Sequence, residues 1–314
     1  MHALAVALGR RLIQAVLVGL IVGTLCFIMA HVLPGDMAFR IAAGRYGYDS
    51  VNAAAADAVR AELGLDRPLV FQFLAWIGNV LRLDLGRSMV NNELVIANVA
   101  HELGYTLKLS LWTVAIAALI GPPLGFVAGL RPGGVADRVS LIASAVVRAL
   151  PAFVLGIVLI DVLALRFDLL PAAGFSDFSH VLLPALTLGL GLAAASSRVA
   201  RDAMADVAAS AQFLFARTKG LSDTQALLRH GLRNVGVPVV AYLGVQLVYL
   251  VEGVVVIEVL FSWPGIGHGL TDAIFERDLP MLQGGSLVLG LLFVVLNTLV
   301  DLACLAIDPR RRTA

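Results

Sequence analysis

The chain has 314 residues, of which 59% are hydrophobic and 14% charged, with a mean hydropathy of +0.90. That balance lies far outside the soluble range and marks an integral membrane protein. A net charge of +1 and a pI near 7.9 give no reason to expect a nucleic-acid partner, and the two cysteines, Cys26 and Cys304, lie in apolar runs with neither disulfide nor metal spacing.

Residues 1–11 carry Arg10 and Arg11 and precede an almost wholly apolar run at 12–33, long enough for one membrane span. The run exceeds the about 7 to 15 residues of a signal-peptide core and has no cleavage site close behind it, so it is expected to stay as the first span. Pro34, Gly35 and Asp36 end it. The mostly polar segment 34–104 should hold two short surface helices, too short and too charged to span. One runs from Ser50 to Leu63 and is closed by Gly64, and the other follows Pro68 to about Leu81.

Residues 105–307 contain four clear apolar runs, Leu107 to Leu130, Val139 to Leu165, Val237 to Ser262 and Gly285 to Ile307, and a weaker one at Val181 to Ala200. With the first, that makes six spans. Cations crowd the termini, including the tail 308–314, and the connections at 131–138 and 198–236, while 166–180 and 263–284 hold only Arg166 and Arg277. The positive-inside rule therefore puts both termini and the polar island 216–234 in the cytoplasm.

That island, within 201–236, reads as helix, tight turn, helix. Gly220 can take the left-handed conformation that closes a helix, Ser222 can cap the next one, and Gln225 completes a capping box. The second helix carries Leu227 beside Arg229, His230 and Arg233, a docking surface of apolar knobs and cationic donors. The chain has no phosphate-cradling loop, since neither of its lysines, Lys108 and Lys219, follows a glycine. If the chain moves a solute, the energy must come from another polypeptide through this hairpin or from an ion gradient through charges inside the membrane.

Charges within spans are costly and face protein or water. Glu258, Asp161 and Asp301 lie toward span ends, where snorkelling or capping serves them, whereas Arg148 and Glu252 lie deeper. Arg148, Pro151, Glu252 and Glu258 are the candidates for a pathway or gate, with Arg148 and Glu252 either facing each other across it or forming a structural ion pair. Trp263-Pro264-Gly265 suits a tight turn at the outer interface, with Gly265 at positive φ and Trp263 at headgroup depth; it is either a plain loop or an outer gate or receptor contact. His101-Glu102 does not make a zinc site, because Tyr105 stands where the second histidine would be.

The segment Ala216-Arg217-Thr218-Lys219-Gly220-Leu221-Ser222, with Arg229-His230-Gly231-Leu232-Arg233-Asn234, resembles the coupling loop of permease subunits of dipeptide, oligopeptide and nickel ABC importers. Pro34-Gly35-Asp36, Leu63-Gly64-Leu65-Asp66-Arg67-Pro68, Asp84-Leu85-Gly86-Arg87-Ser88, Leu182-Leu183-Pro184-Ala185, Phe261-Ser262-Trp263-Pro264-Gly265, Arg277-Asp278-Leu279-Pro280 and Asp308-Pro309-Arg310 look like the same family, in its order. One departure is that Leu214, Phe215 and Ala216 replace the acidic residue and two alanines that open the broader pattern. The resemblance implies an all-α type I importer permease fold in a bacterial inner membrane and no catalysis by this chain. It also implies a second permease subunit, two ATPases that hold ATP and Mg, and a periplasmic or lipid-anchored binding protein. The cargo it implies is a peptide or related solute, or nickel, a metal chelate or an opine. An ion-coupled secondary transporter is the competing class, although no internal repeat of the kind common there is visible.

Overall fold

A computed structural model describes residues 2–32, 36–47, 52–220, 225 and 232–307. It is built of helices. In chain order they are α1 (His2–Val32), α2 (Met37–Tyr46), α3 (Ala53–Leu63), α4 (Leu69–Leu81), α5 (Val95–Leu130), α6 (Val135–Ala149), α7 (Ala152–Leu159, continuing as a π-helix over Ile160–Arg166), α8 (Ser179–Ala209), α9 (Ala211–Thr218), α10 (Leu232–Gly253), α11 (Val255–Leu260), α12 (Ile266–Glu276) and α13 (Leu279–Ile307). Among the described residues four helices are long and apolar enough to cross a membrane, namely α1, α5, α8 and α13. The bent pair α6 and α7 makes a fifth if it counts as one span, and α10 contributes a shorter apolar stretch, Asn234–Val248.

Two compact units divide the chain. The first holds residues up to Tyr105 and Gly265–Val295. Here α2 starts at Asp36, whose carboxylate accepts the Ala38 N–H at 2.9 Å. Helix α3 starts at Ala53, and its cap is Asn52, which accepts the Ala55 N–H at 2.9 Å. The helix was expected from Ser50, which lies outside the described residues, and its described part begins at Ala53. Gly64 at φ +62° closes α3 as expected.

Helix α4 corrects the expectation of a charged surface helix. Its thirteen residues carry no charge, and Leu69, Val70, Phe71, Leu74 and Leu81 are all exposed apolar side chains. It lies against α1, where Phe27 meets Phe73 edge to face at 5.1 Å between centroids and Gly23 leaves room for Trp76. An exposed apolar surface of this extent fits a lipid environment better than water. Elsewhere in this unit two of the segments that carry the family resemblance meet. The Ser88 hydroxyl donates to the buried Asp278 carboxylate, whose other oxygen accepts the Met281 N–H at 3.2 Å and caps α13.

The second unit holds Thr106–Pro264 and the residues from Leu296. Its centre is α8, the helix that the sequence showed as the weakest apolar run. More than half of its apolar window is buried, against a third in α5. Its low hydropathy comes from the small residues that close packing requires. Gly121, Gly125 and Gly129 on α5, four residues apart, present bare backbone to Ala193, Ser197 and Arg201 on α8, and a methyl added at Gly125 would lie 1.9 Å from the Ser197 carbonyl oxygen. Ahead of α8, the Ser179 hydroxyl, followed by His180, holds the Asp177 carboxyl down to about 2, and the same carboxylate accepts the Ser179 N–H at 2.8 Å.

Candidate functional site

The expected span Val139 to Leu165 is not one helix with a kink. Pro151 has no N–H to continue α6 and forces Leu150 into extended conformation, at φ −89° and ψ 129°. The axes of α6 and α7 consequently meet at 100°, a full break of the span. Arg148 sits in the last turn of α6, where the helix dipole favours a cation.

A cavity of about 380 Å³ opens beside this break. Arg148 and Leu150 line it from α6 and the break, Thr187, Gly191 and Ala195 from α8, and Tyr242 and Gln246 from α10. The four-residue spacing puts each helix's contribution on one face. Gly191 and Ala195 make the room, and the Thr187 hydroxyl is already donated to the Leu183 carbonyl at 2.9 Å. Arg148, Tyr242 and Gln246 make no hydrogen bond to any described residue, so their donors remain available to a solute. The side chain of Glu252, the expected partner of Arg148, lies outside the described residues.

Glu258 is placed differently from the sequence expectation. It neither snorkels nor lines the cavity but is fully buried, and accepts a hydrogen bond from the Thr106 hydroxyl at 2.5 Å. Trp263 is likewise wholly buried, with the Lys108 ammonium 5.7 Å from its ring centroid. In the same turn the positive φ falls on Ser262, at 49°, while Gly265, after Pro264, has φ −85° and precedes α12. Gly265 therefore does not need a glycine's freedom in the way the turn pattern suggested. Asp161 pairs with Arg166 at 2.8 Å and is half exposed, in keeping with a span end.

Helix α8 runs beyond Ala200 to Ala209, and Ser210 breaks it by donating to the Val207 carbonyl at 2.7 Å and accepting the Phe213 N–H at 3.3 Å. Helix α9 follows, with Phe213 buried in a cluster that includes Met204 of α8 and Val235 and Val239 of α10. Gly220 has φ +87°, the positive value the sequence required, and Lys219 lies over the Phe215 ring at 4.5 Å. Leu221, Ser222, Leu227, Arg229 and His230 lie outside the described residues, as do the side chains of Ala216, Arg217 and Arg233.

One network near this hairpin was missed. Asp137, in the first turn of α6, accepts two hydrogen bonds from Arg201 of α8 and a third from the Gly133 N–H at 2.9 Å, while Arg198 Nη1 stands 3.8 Å away. The sequence offered these arginines as topology markers. Their spacing of three, on one helical face, was the available sign that they share an acid.

Comparison with known proteins now assigns the chain. Residues 121–313 match the family model described as binding-protein-dependent transport system inner membrane component, and residues 5–110 match its N-terminal counterpart. The chain belongs to this family. It is a permease subunit of an ABC importer, an all-α multi-pass inner-membrane protein and not an enzyme, which sets aside the ion-coupled alternative. Glutathione transport system permease proteins GsiC from Pectobacterium atrosepticum and Escherichia coli K12 are each 37% identical to the permease over 303 residues, 96% of this chain and 97% of theirs. The crystal structure of an amino acid ABC transporter with histidines shares the fold, with a TM-score of 0.52 and 15% identity over 66% of this chain and 92% of that one.

Proposed function

We propose that the permease imports peptides or peptide-like solutes of about tripeptide size, handed over by a soluble binding protein. The observation that carries this reading is the likeness to glutathione permeases along 96% of the chain. In this reading the permease pairs with a second permease subunit above two ATPases that hold ATP and Mg²⁺, with both termini and the 216–234 hairpin on the cytoplasmic side. The hairpin docks in the ATPases, so their closure tilts the spans. Solute passes the cavity beside Arg148 and Pro151.

The reading is tested by uptake in cells carrying the whole transporter and lacking their other peptide importers. ATP-dependent accumulation of radiolabelled glutathione or tri-alanine, abolished by deleting the permease, is the expected result. Accumulation of nickel alone, with neither peptide taken up, would overturn the peptide assignment and leave the ABC importer intact.

A further inference from the structure

The cavity at the α6–α7 break has an uneven chemistry that a plain passage does not need. Its volume of about 380 Å³ lies within the about 300–1,000 Å³ range of small-molecule sites. Arg148 is the only charged residue among the described residues that line it, and Tyr242 and Gln246 add a hydroxyl and an amide. None of the three is hydrogen-bonded to a described residue. The rest of the wall is mostly aliphatic, including Leu150, Leu155 and Leu192. Arg148 is exposed there, so its guanidinium is open to a solute that enters the cavity.

We infer that this cavity is a carboxylate-reading subsite, in which Arg148 donates to a free carboxylate of the passing solute while Tyr242 and Gln246 bond the neighbouring amide. This rests on the peptide-import reading above and narrows it to solutes that keep an unmodified carboxylate. A planar guanidinium matches a carboxylate with two parallel bonds, which a lysine ammonium does not. Amide groups are both donors and acceptors, and so are the Tyr242 hydroxyl and the Gln246 carboxamide. An amine terminus finds no acid among the described lining residues. Arg148 therefore gives the carboxylate end of a peptide a partner in the cavity.

Uptake of tri-alanine and of its C-terminal amide is compared in cells carrying the whole transporter, with Arg148→Met and Arg148→Lys matched for abundance in the membrane. Arg148→Met lowers uptake of the acid by about tenfold or more and of the amide by less than about twofold, and Arg148→Lys recovers part of the difference. Equal losses for both probes, or no loss for the acid, overturn the subsite. A second measurement needs no transport: modification of Arg148 by phenylglyoxal, followed by mass spectrometry in membranes that hold the transporter, with glutathione or its dimethyl ester present. Protection by glutathione and not by the ester is expected, and equal or absent protection overturns the subsite. If cells take up neither tri-alanine nor glutathione while glutathione still protects Arg148, the peptide-import reading falls and the subsite stands.

Discussion

Asp137 and Arg201 form a two-point contact between α6 and α8, with Nε to Oδ1 at 2.9 Å and Nη2 to Oδ2 at 2.7 Å. It joins the first turn of the broken span to the part of α8 that leads into α9 and Gly220. A bidentate pair resists both sliding and rotation, so under the proposed coupling it would carry hairpin motion into α6 and hence to the cavity. Asp137→Asn should lower the thermal midpoint of the purified transporter and weaken stimulation of its ATPase by loaded binding protein. A Lys at 201 should preserve charge but not the two-point geometry, and give a partial defect. An unchanged midpoint and full stimulation in Asp137→Asn would rule out this role.

The α5–α8 crossing depends on bare backbone. Gly125→Ala places a methyl where the Ser197 carbonyl stands and should cost roughly 1 to 3 kcal/mol or more. Gly104→Ala on the same helix meets nothing within 4 Å and should be neutral or stabilising by up to about 1 kcal/mol. Unfolding in detergent followed by circular dichroism separates the two, and equal midpoints would contradict the close packing.

The buried Glu258 relies on the Thr106 hydroxyl. Thr106→Val keeps the shape and removes the donor, and should destabilise by roughly 1.5 to 3 kcal/mol. Thr106→Ser should recover most of that, because it restores the hydroxyl. The same unfolding assay decides, and loss in both variants to the same extent would point to packing instead.

Gly220 at φ +87° leaves no comfortable place for a β-branched side chain. Gly220→Val should cost roughly 1 to 3 kcal/mol locally and misdirect the segment that follows. We expect normal membrane insertion with lost ATPase stimulation, measured in reconstituted proteoliposomes. Wild-type stimulation would count against a coupling role for the hairpin.

Orientation can be read directly. With Cys26 and Cys304 replaced by alanine, a cysteine at the exposed Lys219 should react with a membrane-impermeant maleimide only after the cytoplasmic face is opened. One at the exposed Ser176 should react in intact spheroplasts. Reversed labelling would refute the proposed topology.

The sequence by itself determined the membrane class, the positions of α1, α5, α8 and α13, the Gly64 and Gly220 turns and the family. Each of these is written in neighbouring residues, as a run of apolar side chains, a glycine after a helix, or an ordered set of short motifs. Leu69 to Leu81 was misjudged because the charges flanking it, such as Arg67 and Arg82, were read together with a helix that has none. Only the tertiary structure decided that the weakest apolar run is the buried centre of its unit, that Asp137 belongs to Arg201, and that Glu258 is sealed in with Thr106. It also decided that Arg148, Tyr242 and Gln246 share one cavity. Hydropathy reports the average environment of a helix, whereas these relations depend on which face of one helix meets which face of another. The partners lie 64 residues apart for Asp137 and Arg201 and 152 apart for Thr106 and Glu258, and packing alone brings them together.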